Sequence, residues 1–450
     1  MSIYADDVVS FTSVLKISYN FLTGRDFLKR KKTREKKKII SVALGFPDLV
    51  FAVNAVPVFP IRMESFKLDT ILMALNSATS VLGWDLTSKV LDIARKVDFL
   101  KIVDNTLDNV IKSVNEKYNL MYDLGVENGI PTELCYGVNA LYGMHKSVGK
   151  SLDANLNFAM RCSEWNKYSE SLNSLVPNQI WLEMPPKDIE SEESALELIK
   201  DHLKKTISEL EAITGNIITD ESLKKQFRIG NQVKRFYKTI LYEISASNFY
   251  PCNPATFSEI LALLTISFQD YNSNAQRYLE NMSQLVKEMR ERIKKGIGMD
   301  VSNRPRIILA PIFGGWEPET HEIIYNLGGR IIYADWDILG FLEEIPVSKN
   351  SDPLEEYARF LLNASKKGIG CNKDNLTNSY LNAAKNMEID GFIFNQVYGC
   401  DSISSFYKDI INKIKEELNI PATIISFKKI GENINLIKNQ LEPFMQSFKQ

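Results

Sequence analysis

The chain has 450 residues, of which 44% are hydrophobic and 24% are charged, which is typical of a globular protein with two or three domains. Its formal net charge of −2 argues against a nucleic-acid coat, because phosphate binding normally goes with a basic excess. The five cysteines are odd in number and widely spaced, so they indicate no disulfide framework and favour a reducing compartment.

The sequence indicates no targeting segment and no membrane span. Residues 1–7 lack the basic stretch and apolar core of a signal peptide. The most apolar stretch, residues 39–61, contains Asp48, Asn54 and three prolines, so it predicts two buried strands joined by a turn. We therefore expect a cytoplasmic protein with neither nucleic acid nor membrane among its partners.

The hydrophobic pattern divides the chain into four segments. Residues 1–37 predict an N-terminal helical lead-in, and residues 38–190 predict a first α/β lobe. Residues 191–300 predict a helical connecting segment with long charged faces. Residues 301–450 predict a second α/β lobe.

Short apolar runs rich in β-branched residues predict the strands of the two lobes. In the first lobe they lie at residues 38–44, 131–135, 155–160 and 179–184, and residues 66–124 show helical spacing. In the second lobe they lie at residues 306–310, 330–334, 391–395 and 422–426, with helices near 353–366 and 374–387. Because strands that alternate with helices predict parallel sheets, the expected fold class is α/β: two lobes with small parallel sheets flanked by helices, joined by a helical segment.

Three cysteines share one local pattern. Cys135, Cys162 and Cys400 each follow a predicted strand and precede a predicted helix. Ligands collect at the carboxyl ends of strands in open α/β sheets, and a helix N-terminus lowers the pKa of a thiol. Asp401 is the candidate N-cap of the helix after Cys400. Three such thiolates could hold a [4Fe–4S] cluster by three corners and leave one iron open.

The alternative is that these cysteines are small buried hydrophobic residues, as lone cysteines in strands usually are. The spacing alone leaves this alternative open, because the chain contains no CxxC motif. Cys252 and Cys371 lie in loop-like contexts without the strand–cysteine–helix pattern, so neither is included in the candidate site.

Several segments, taken in order, resemble the 2-hydroxyacyl-CoA dehydratase and benzoyl-CoA reductase subunit family. They are GFPDLVFA at residues 45–52, AVPV at 55–58, CYG at 135–137, the stretch from Cys162 through Trp181 to Pro185, SDPLEEYA at 351–358 and DGFIF at 390–394 followed by Cys400 and Asp401. The resemblance covers most of the chain from about residue 38 onward. Asn54 stands where the family usually has glycine, so a different backbone approach is expected there.

The resemblance implies that Cys135, Cys162 and Cys400 ligate one [4Fe–4S] cluster beside a pocket for an acyl-CoA thioester. It also implies that a separate ATP-hydrolysing iron–sulfur activator delivers one low-potential electron. The reduced thioester, a ketyl radical anion, then expels a β-hydroxyl group, as in a lyase, or accepts a further electron, as in a reductase. The chain has no P-loop motif, so nucleotide hydrolysis would belong to the partner.

Two other functions remain open within the resemblance. Some relatives carry a double-cubane cluster and reduce small molecules, which is the first alternative. The second alternative is that this chain is a non-catalytic partner subunit of such an enzyme. Family members work in pairs, so we expect a homodimer or a dimer with a homologous second subunit, active under anaerobic conditions.

Glu64 and Ser65 are the candidate catalytic residues, because they follow directly on the apolar stretch. Glu64 would accept or donate a proton, and Ser65 would donate a hydrogen bond to a thioester oxygen. A salt bridge between Arg62 and Glu64 at a strand end is the alternative interpretation.

Four further positions have simpler interpretations. Tyr136 and Asn139 could line the open iron, but packing and helix capping are favoured. His145 is interpreted as a solvated helix residue, and with three scattered histidines we expect no His-rich metal site. Residues 314–316 could cradle a CoA phosphate, but a tight turn is favoured because two glutamates follow.

Overall fold

The computed structural model of the protein describes residues 11–42, 47–66, 70–94, 101–159, 162–185, 191–367 and 372–449. Within these residues the fold is mixed α/β, with small parallel sheets flanked by helices, which confirms the predicted fold class. None of the described helices is both long enough and apolar enough to cross a bilayer.

The first sheet contains four parallel strands in the order β2-β1-β3-β4. The strands are β1 (Ile39–Val42), β2 (Val56–Val58), β3 (Ala154–Ala159) and β4 (Gln179–Glu183). The helices of this part of the chain are α1 (Thr12–Leu22), α2 (Gly24–Thr33), α3 (Asp48–Ala52), α4 (Thr70–Leu82), α5 (Trp84–Ala94), α6 (Lys101–Glu127), α7 (Tyr136–Val148) and α8 (Ser163–Ser171).

A mainly helical stretch follows, as predicted. It comprises α9 (Glu192–Thr214), α10 (Asp220–Lys238), α11 (Pro254–Phe268) and α12 (Ala275–Lys294). The short strands β5 (Phe249–Tyr250) and β6 (Met299–Asp300) pair antiparallel on either side of α11 and α12. Side-chain caps begin these helices: Ser191 accepts from the N–H of Ser194 at α9, and Thr219 forms a capping box with Ser222 at α10.

The second sheet contains four parallel strands in the order β10-β9-β7-β8. The strands are β7 (Arg306–Ala310), β8 (Arg330–Ile332), β9 (Gly391–Val397) and β10 (Ala422–Phe427). The helices are α13 (Thr320–Asn326), α14 (Asp335–Ile338), α15 (Pro353–Lys367), α16 (Lys373–Met387), α17 (Asp401–Ser404), α18 (Tyr407–Leu418) and α19 (Ile434–Gln446). Four consecutive residues of β7, from Ile307 to Ala310, are buried, as is typical of a parallel sheet that is covered on both faces.

Two details of the predicted secondary structure are wrong. Residues 131–135 form a turn and not a strand, because the side chain of Asn139 takes up the carbonyls that a neighbouring strand would need. The apolar stretch 39–61 contains helix α3 between its two strands. Asn54, which follows α3, has a φ of +59°, so asparagine takes a left-handed position that glycine also favours.

The N-terminal helices pack against the helical stretch. Ser13 Oγ of α1 donates to Glu288 Oε2 of α12 at 2.6 Å. The buried guanidinium of Arg62 contacts Asp270 at 2.5 Å, where α11 ends, and not Glu64. The four predicted segment boundaries stay predictions, but the Ser13 contact joins the first segment to the third and the Arg62 contact joins the second to the third.

Candidate active site: a cavity lined by three cysteines

Cys135, Cys162 and Cys400 line one cavity of roughly 300 Å³. Cys135 is buried, whereas Cys162 and Cys400 are partly exposed. The thiols of Cys162 and Cys400 both raise the pKa of Cys135 by charge repulsion, so the three side chains lie near one another. Residues 265 positions apart in the sequence therefore meet at this cavity, with two cysteines from the first part of the chain and one from the second.

Each cysteine is the residue immediately before a helix. Cys162 lies between β3 and α8, and Cys400 lies between β9 and α17, as predicted. Cys135 begins α7 but follows a turn and not a strand, so the predicted strand end is wrong there. Asp401 is the first residue of α17, so the N-cap is Cys400 and not Asp401.

The backbone around Cys135 contacts two other loops, the loop after β7 that contains Gly314 and the loop that contains Cys400. The N–H of Gly137 donates to the carbonyl of Gly314 at 2.8 Å. A Cβ atom at Gly399 would collide with the carbonyl oxygen of Glu133 and would lie 3.0 Å from the backbone nitrogen of Cys135. Glycine is thus required at position 399, where φ is also +75°.

Two buried side chains hold the loop after β7, which contains Gly314. Asn395 of β9 donates to the carbonyls of Pro311 and Gly315 at 2.8 and 2.9 Å. Asp335 accepts from the N–H of Ile312 at 2.8 Å, and burial raises the pKa of this carboxyl to about 7. The predicted tight turn at Gly314 is confirmed, and it forms part of the cavity wall.

Of the two side chains after Cys135, Asn139 follows the favoured interpretation, whereas Tyr136 both packs and lines the cavity. Asn139 is fully buried and donates to the carbonyls of Pro131, Leu134 and Cys135, so it holds the turn and does not line the cavity. Tyr136 does line the cavity, and its ring stacks on that of Tyr122 with 5.1 Å between centroids.

The pKa of the Cys135 thiol is raised, whereas a lowered pKa was expected from its position at a helix N-terminus. Burial raises this pKa to about 12, and the neighbouring Cys400 and Cys162 raise it as well. The N–H groups of Val138 and Gly137 lower it, but they do not outweigh burial. A thiol in this environment stays protonated until a metal displaces the proton.

A carboxylate lies next to the second cysteine. The Sγ atom of Cys162 donates to Oε2 of Glu164 over 3.6 Å, and Glu164 is buried in the first turn of α8. The sequence analysis did not single out Glu164, although its position two residues after Cys162 puts it at the same helix end.

A glutamate–histidine pair also faces the cavity. His321 Nε2 lies 3.4 Å from Glu259 Oε1, and both residues line the cavity with the indoles of Trp165 and Trp316. The sequence analysis missed this pair. A signal was available, because Glu259 is the only charged residue of helix α11, which is otherwise uncharged and mostly apolar.

The structure does not bring the two candidate catalytic residues to this cavity. Glu64 is buried, and its Oε2 lies 3.8 Å from Nζ of Lys117. Ser65 is exposed and accepts a hydrogen bond from Arg25. Neither Glu64 nor Ser65 lines the cavity, so their catalytic roles stay predictions.

His145 is buried, so its interpretation as a solvated residue is wrong. Its Nε2 lies 2.9 Å from Ser41 Oγ, and its Nδ1 lies 2.9 Å from the carbonyl of Leu141 and 2.7 Å from the hydroxyl of Tyr168. Burial lowers the pKa of His145 to about 4, so the ring is neutral at pH 7. In a neutral ring the single Nδ1–H can be shared between the carbonyl of Leu141 and the hydroxyl oxygen of Tyr168, while Nε2 accepts from the hydroxyl of Ser41.

A comparison with known families gives a match that includes the cavity cysteines. The model of the family described as 2-hydroxyglutaryl-CoA dehydratase, D-component, matches residues 122–448. The chain belongs to this family. The match confirms the resemblance seen in the sequence, and its range includes all three cysteines, Glu259 and His321 but not Glu64 or Ser65. No curated protein matches the chain.

Membership of the 2-hydroxyglutaryl-CoA dehydratase D-component family makes the chain a dehydratase component. Among the residues that the structure describes, no three His, Cys, Asp or Glu side chains are gathered tightly enough to hold a single metal ion. A cubane cluster is larger than a single ion, so its thiolates sit further apart around it. Three thiols around one cavity fit such a group, whereas Cys252 is buried elsewhere and Cys371 lies outside the described residues.

Proposed function

We propose that the chain is the iron–sulfur subunit of a radical 2-hydroxyacyl-CoA dehydratase, or of a related benzoyl-CoA reductase-like enzyme. Cys135, Cys162 and Cys400 would hold one [4Fe–4S] cluster. The observation that carries the proposal is the convergence of three helix-initiating cysteines on a single cavity. A cluster held by three thiolates supplies one-electron chemistry and one iron open to the substrate.

The donor set suits such a cluster. Thiolate is the protein ligand of iron–sulfur clusters, and all three side chains face the same cavity. The N–H group of Val138 points toward the Cys135 sulfur and would stabilise its negative charge. The close contact at Gly399 sets the loop of Cys135 against the loop of Cys400, so the two ligands keep a fixed separation.

The other residues of the cavity would bind and orient the thioester. Apolar side chains from α1, α7 and α11 form much of the wall, which keeps water from a reactive intermediate. The pair Glu259–His321 can hold or donate a proton at the wall, as elimination of a hydroxyl group requires. Glu64 and Ser65 do not line this cavity, so turnover of their variants has to test their proposed roles as proton carrier and hydrogen-bond donor.

The electron would come from a separate ATP-hydrolysing iron–sulfur activator protein. The absence of a P-loop motif from the sequence supports this division of labour. We further propose that the working unit pairs two such chains, or this chain with a homologous subunit, in an anaerobic cytoplasm.

The first test is an iron and acid-labile sulfide count on anaerobically purified protein. We expect about four irons and about four sulfides per chain in the wild type and a clear loss in Cys400→Ser. Cys252→Ser is the matched control, because Cys252 is buried away from the cavity and should leave the counts unchanged. Folded wild-type protein without iron would contradict the proposal.

The second test concerns the candidate catalytic residues. Turnover of a 2-hydroxyacyl-CoA with activator and ATP should fall about 100-fold or more in Glu64→Gln if Glu64 carries the proton. The same assay on Ser65→Ala tests the thioester contact. Full turnover in both variants, at wild-type iron content, would contradict the roles of Glu64 and Ser65 and leave the cluster proposal standing.

A further inference from the structure

A buried histidine joins the two helices that begin after Cys135 and Cys162. His145 lies in the last turn of α7, and Tyr168 lies in the middle of α8. The Nδ1 atom of His145 lies 2.7 Å from the hydroxyl oxygen of Tyr168, and both side chains are at most 2% exposed. One hydrogen bond in the core therefore connects α7 to α8.

The other edge of the His145 ring contacts the first sheet. Nε2 accepts from the hydroxyl of Ser41 at 2.9 Å. Ser41 lies in β1, and β1 pairs with β3, the strand that precedes Cys162. Three elements of the first part of the chain, β1, α7 and α8, thus meet at one side chain.

Helix α7 is itself held by two close backbone contacts with α6. A Cβ atom at Gly143 would collide with the carbonyl oxygen of Met121, and one at Gly125 would collide with the carbonyl oxygen of Asn139. Glycine at both positions lets the two helix backbones approach this closely. Helix α7 is therefore a fixed support, and the His145 ring connects α8 to it.

Helix α8 has nine residues, and Tyr168 lies at the centre of its buried face. This face comprises Trp165, Tyr168 and Leu172, which recur with helical spacing. The ring of Trp165 lies 5.2 Å from that of Tyr168 between centroids, and Trp165 lines the cavity with Cys162. Cys162 precedes Tyr168 by six residues, which is about 9 Å along a helix axis. A displacement of Tyr168 would thus move the cysteine and part of the cavity wall together.

Buried hydrogen-bonding groups specify geometry at some cost in stability. Apolar side chains of similar size would fill this part of the core without the desolvation of an imidazole and two hydroxyl groups. A satisfied polar network instead holds its members at defined distances. We propose that His145 is a positioning residue, which through Tyr168 holds Cys162 at the separation from Cys135 that the cluster requires. The inference rests on the proposed function for the cluster, whereas the positioning itself is a property of the chain.

The test removes one hydroxyl group and measures how firmly the protein holds iron. Tyr168→Phe keeps the ring that packs against Trp165 and loses the contact with His145. We expect anaerobically purified Tyr168→Phe to release iron to a ferrous chelator about tenfold faster than the wild type, because the loss of one buried hydrogen bond is worth about that factor. The EPR spectrum of the reduced protein should change as well, since it responds to the arrangement of the thiolate ligands.

Tyr250→Phe is the matched control for Tyr168→Phe. Tyr250 is also buried, and its hydroxyl donates to the carbonyl of Ser245 at 2.9 Å, but it does not line the cavity. Iron release and the EPR spectrum should be those of the wild type in this variant. Ser41→Ala frees the other edge of the His145 ring and should speed iron release about threefold. An equal rise in Tyr168→Phe and Tyr250→Phe would show a general loss of stability and would overturn the inference.

A second readout does not need the cluster. Cys162 and Cys400 are both partly exposed, so a maleimide should label both in metal-free protein, and mass spectrometry of the two peptides gives the ratio of their labelling rates. Cys400 follows β9 of the second sheet and serves as the internal reference. We expect the rate of Cys162 relative to Cys400 to rise several-fold in Tyr168→Phe and to stay at the wild-type ratio in Tyr250→Phe.

The outcomes separate this inference from the proposed function. Wild-type protein without iron, with a labelling ratio that still rises in Tyr168→Phe, would overturn the cluster function and support the positioning of Cys162 by His145. Wild-type iron release, EPR spectrum and labelling ratio in Tyr168→Phe would overturn the inference and leave the cluster function intact.

Discussion

Substitution of Gly399 tests whether the backbone contact between the loops of Cys135 and Cys400 builds the site. Gly399 occupies the third position of the turn that ends β9, in which the N–H of Cys400 donates to the carbonyl of Val397 at 3.0 Å. A Cβ atom here would collide with the carbonyl oxygen of Glu133 and lie 2.9 Å from the carbonyl carbon of Leu134. All of these neighbours are backbone, so none can rotate away.

Two free-energy costs add up in the Gly399→Ala variant. A φ of +75° costs a non-glycine residue about 1–2 kcal/mol. Relief of the collision requires the loops to separate, and overpacking of this kind costs about 1–3 kcal/mol more. We therefore expect the free energy of unfolding to fall by about 2–5 kcal/mol and the iron content to fall as well, since the separation moves Cys135 away from Cys400.

Gly215→Ala is the matched control for Gly399→Ala. Gly215 has a similar φ of +70°, but a Cβ atom there meets nothing within 4 Å and lies at the end of α9. Urea unfolding followed by tryptophan fluorescence should show the φ cost alone in Gly215→Ala, with wild-type iron content. Equal destabilisation of the two variants, with full iron in both, would refute the argument that close backbone contact positions the cysteines.

Three further predictions concern buried polar groups. The pKa of His145 is lowered to about 4 from its ordinary 6.5, so the unfolded state takes up the proton first. The free energy of unfolding should thus fall by up to about 3 kcal/mol between pH 6.5 and 4, a slope that His145→Gln should flatten in urea titrations at several pH values. Asn395→Ala should cost about 2–4 kcal/mol in the same assay, because it leaves two buried loop carbonyls without donors; an unchanged midpoint would contradict this role. Arg62→Met should cost about 3–5 kcal/mol by leaving Asp270 unpaired, and the double variant with Asp270→Leu should recover much of the loss if burial without a partner is the cause.

The sheets were predictable from the sequence because their signals are local. Strands β3, β4 and β7 to β10 are short apolar runs between helices, and all six are confirmed as members of parallel sheets. Residues 131–135, with the sequence PTELC, were also predicted to form a strand but form a turn. Their carbonyls bond to the amide of Asn139, and such a side-chain contact competes with strand pairing in a way that periodicity does not show.

The positions of the cysteines were predictable for the same reason, whereas their surroundings were not. A cysteine between a strand and a helix is a pattern of a few residues, and it locates Cys162 and Cys400 correctly. The pKa of Cys135 depends instead on how deeply the assembled loops bury it, and burial outweighs the helix N–H groups that the sequence suggested. Asn395 and the loop carbonyls that its side chain binds are separated by 80 or more residues in the sequence, so a local pattern does not show this contact.

Glu259 is a residue whose unusual position is visible in the sequence but whose partner is not. A lone carboxylate on an apolar helix is visible in the sequence, and burial of an isolated charge is costly enough that such a residue calls for a partner. The sequence does not say which partner, because His321 lies on α13, beyond two intervening strands and one long helix. Only the fold shows that this pair faces the cavity that the three cysteines line.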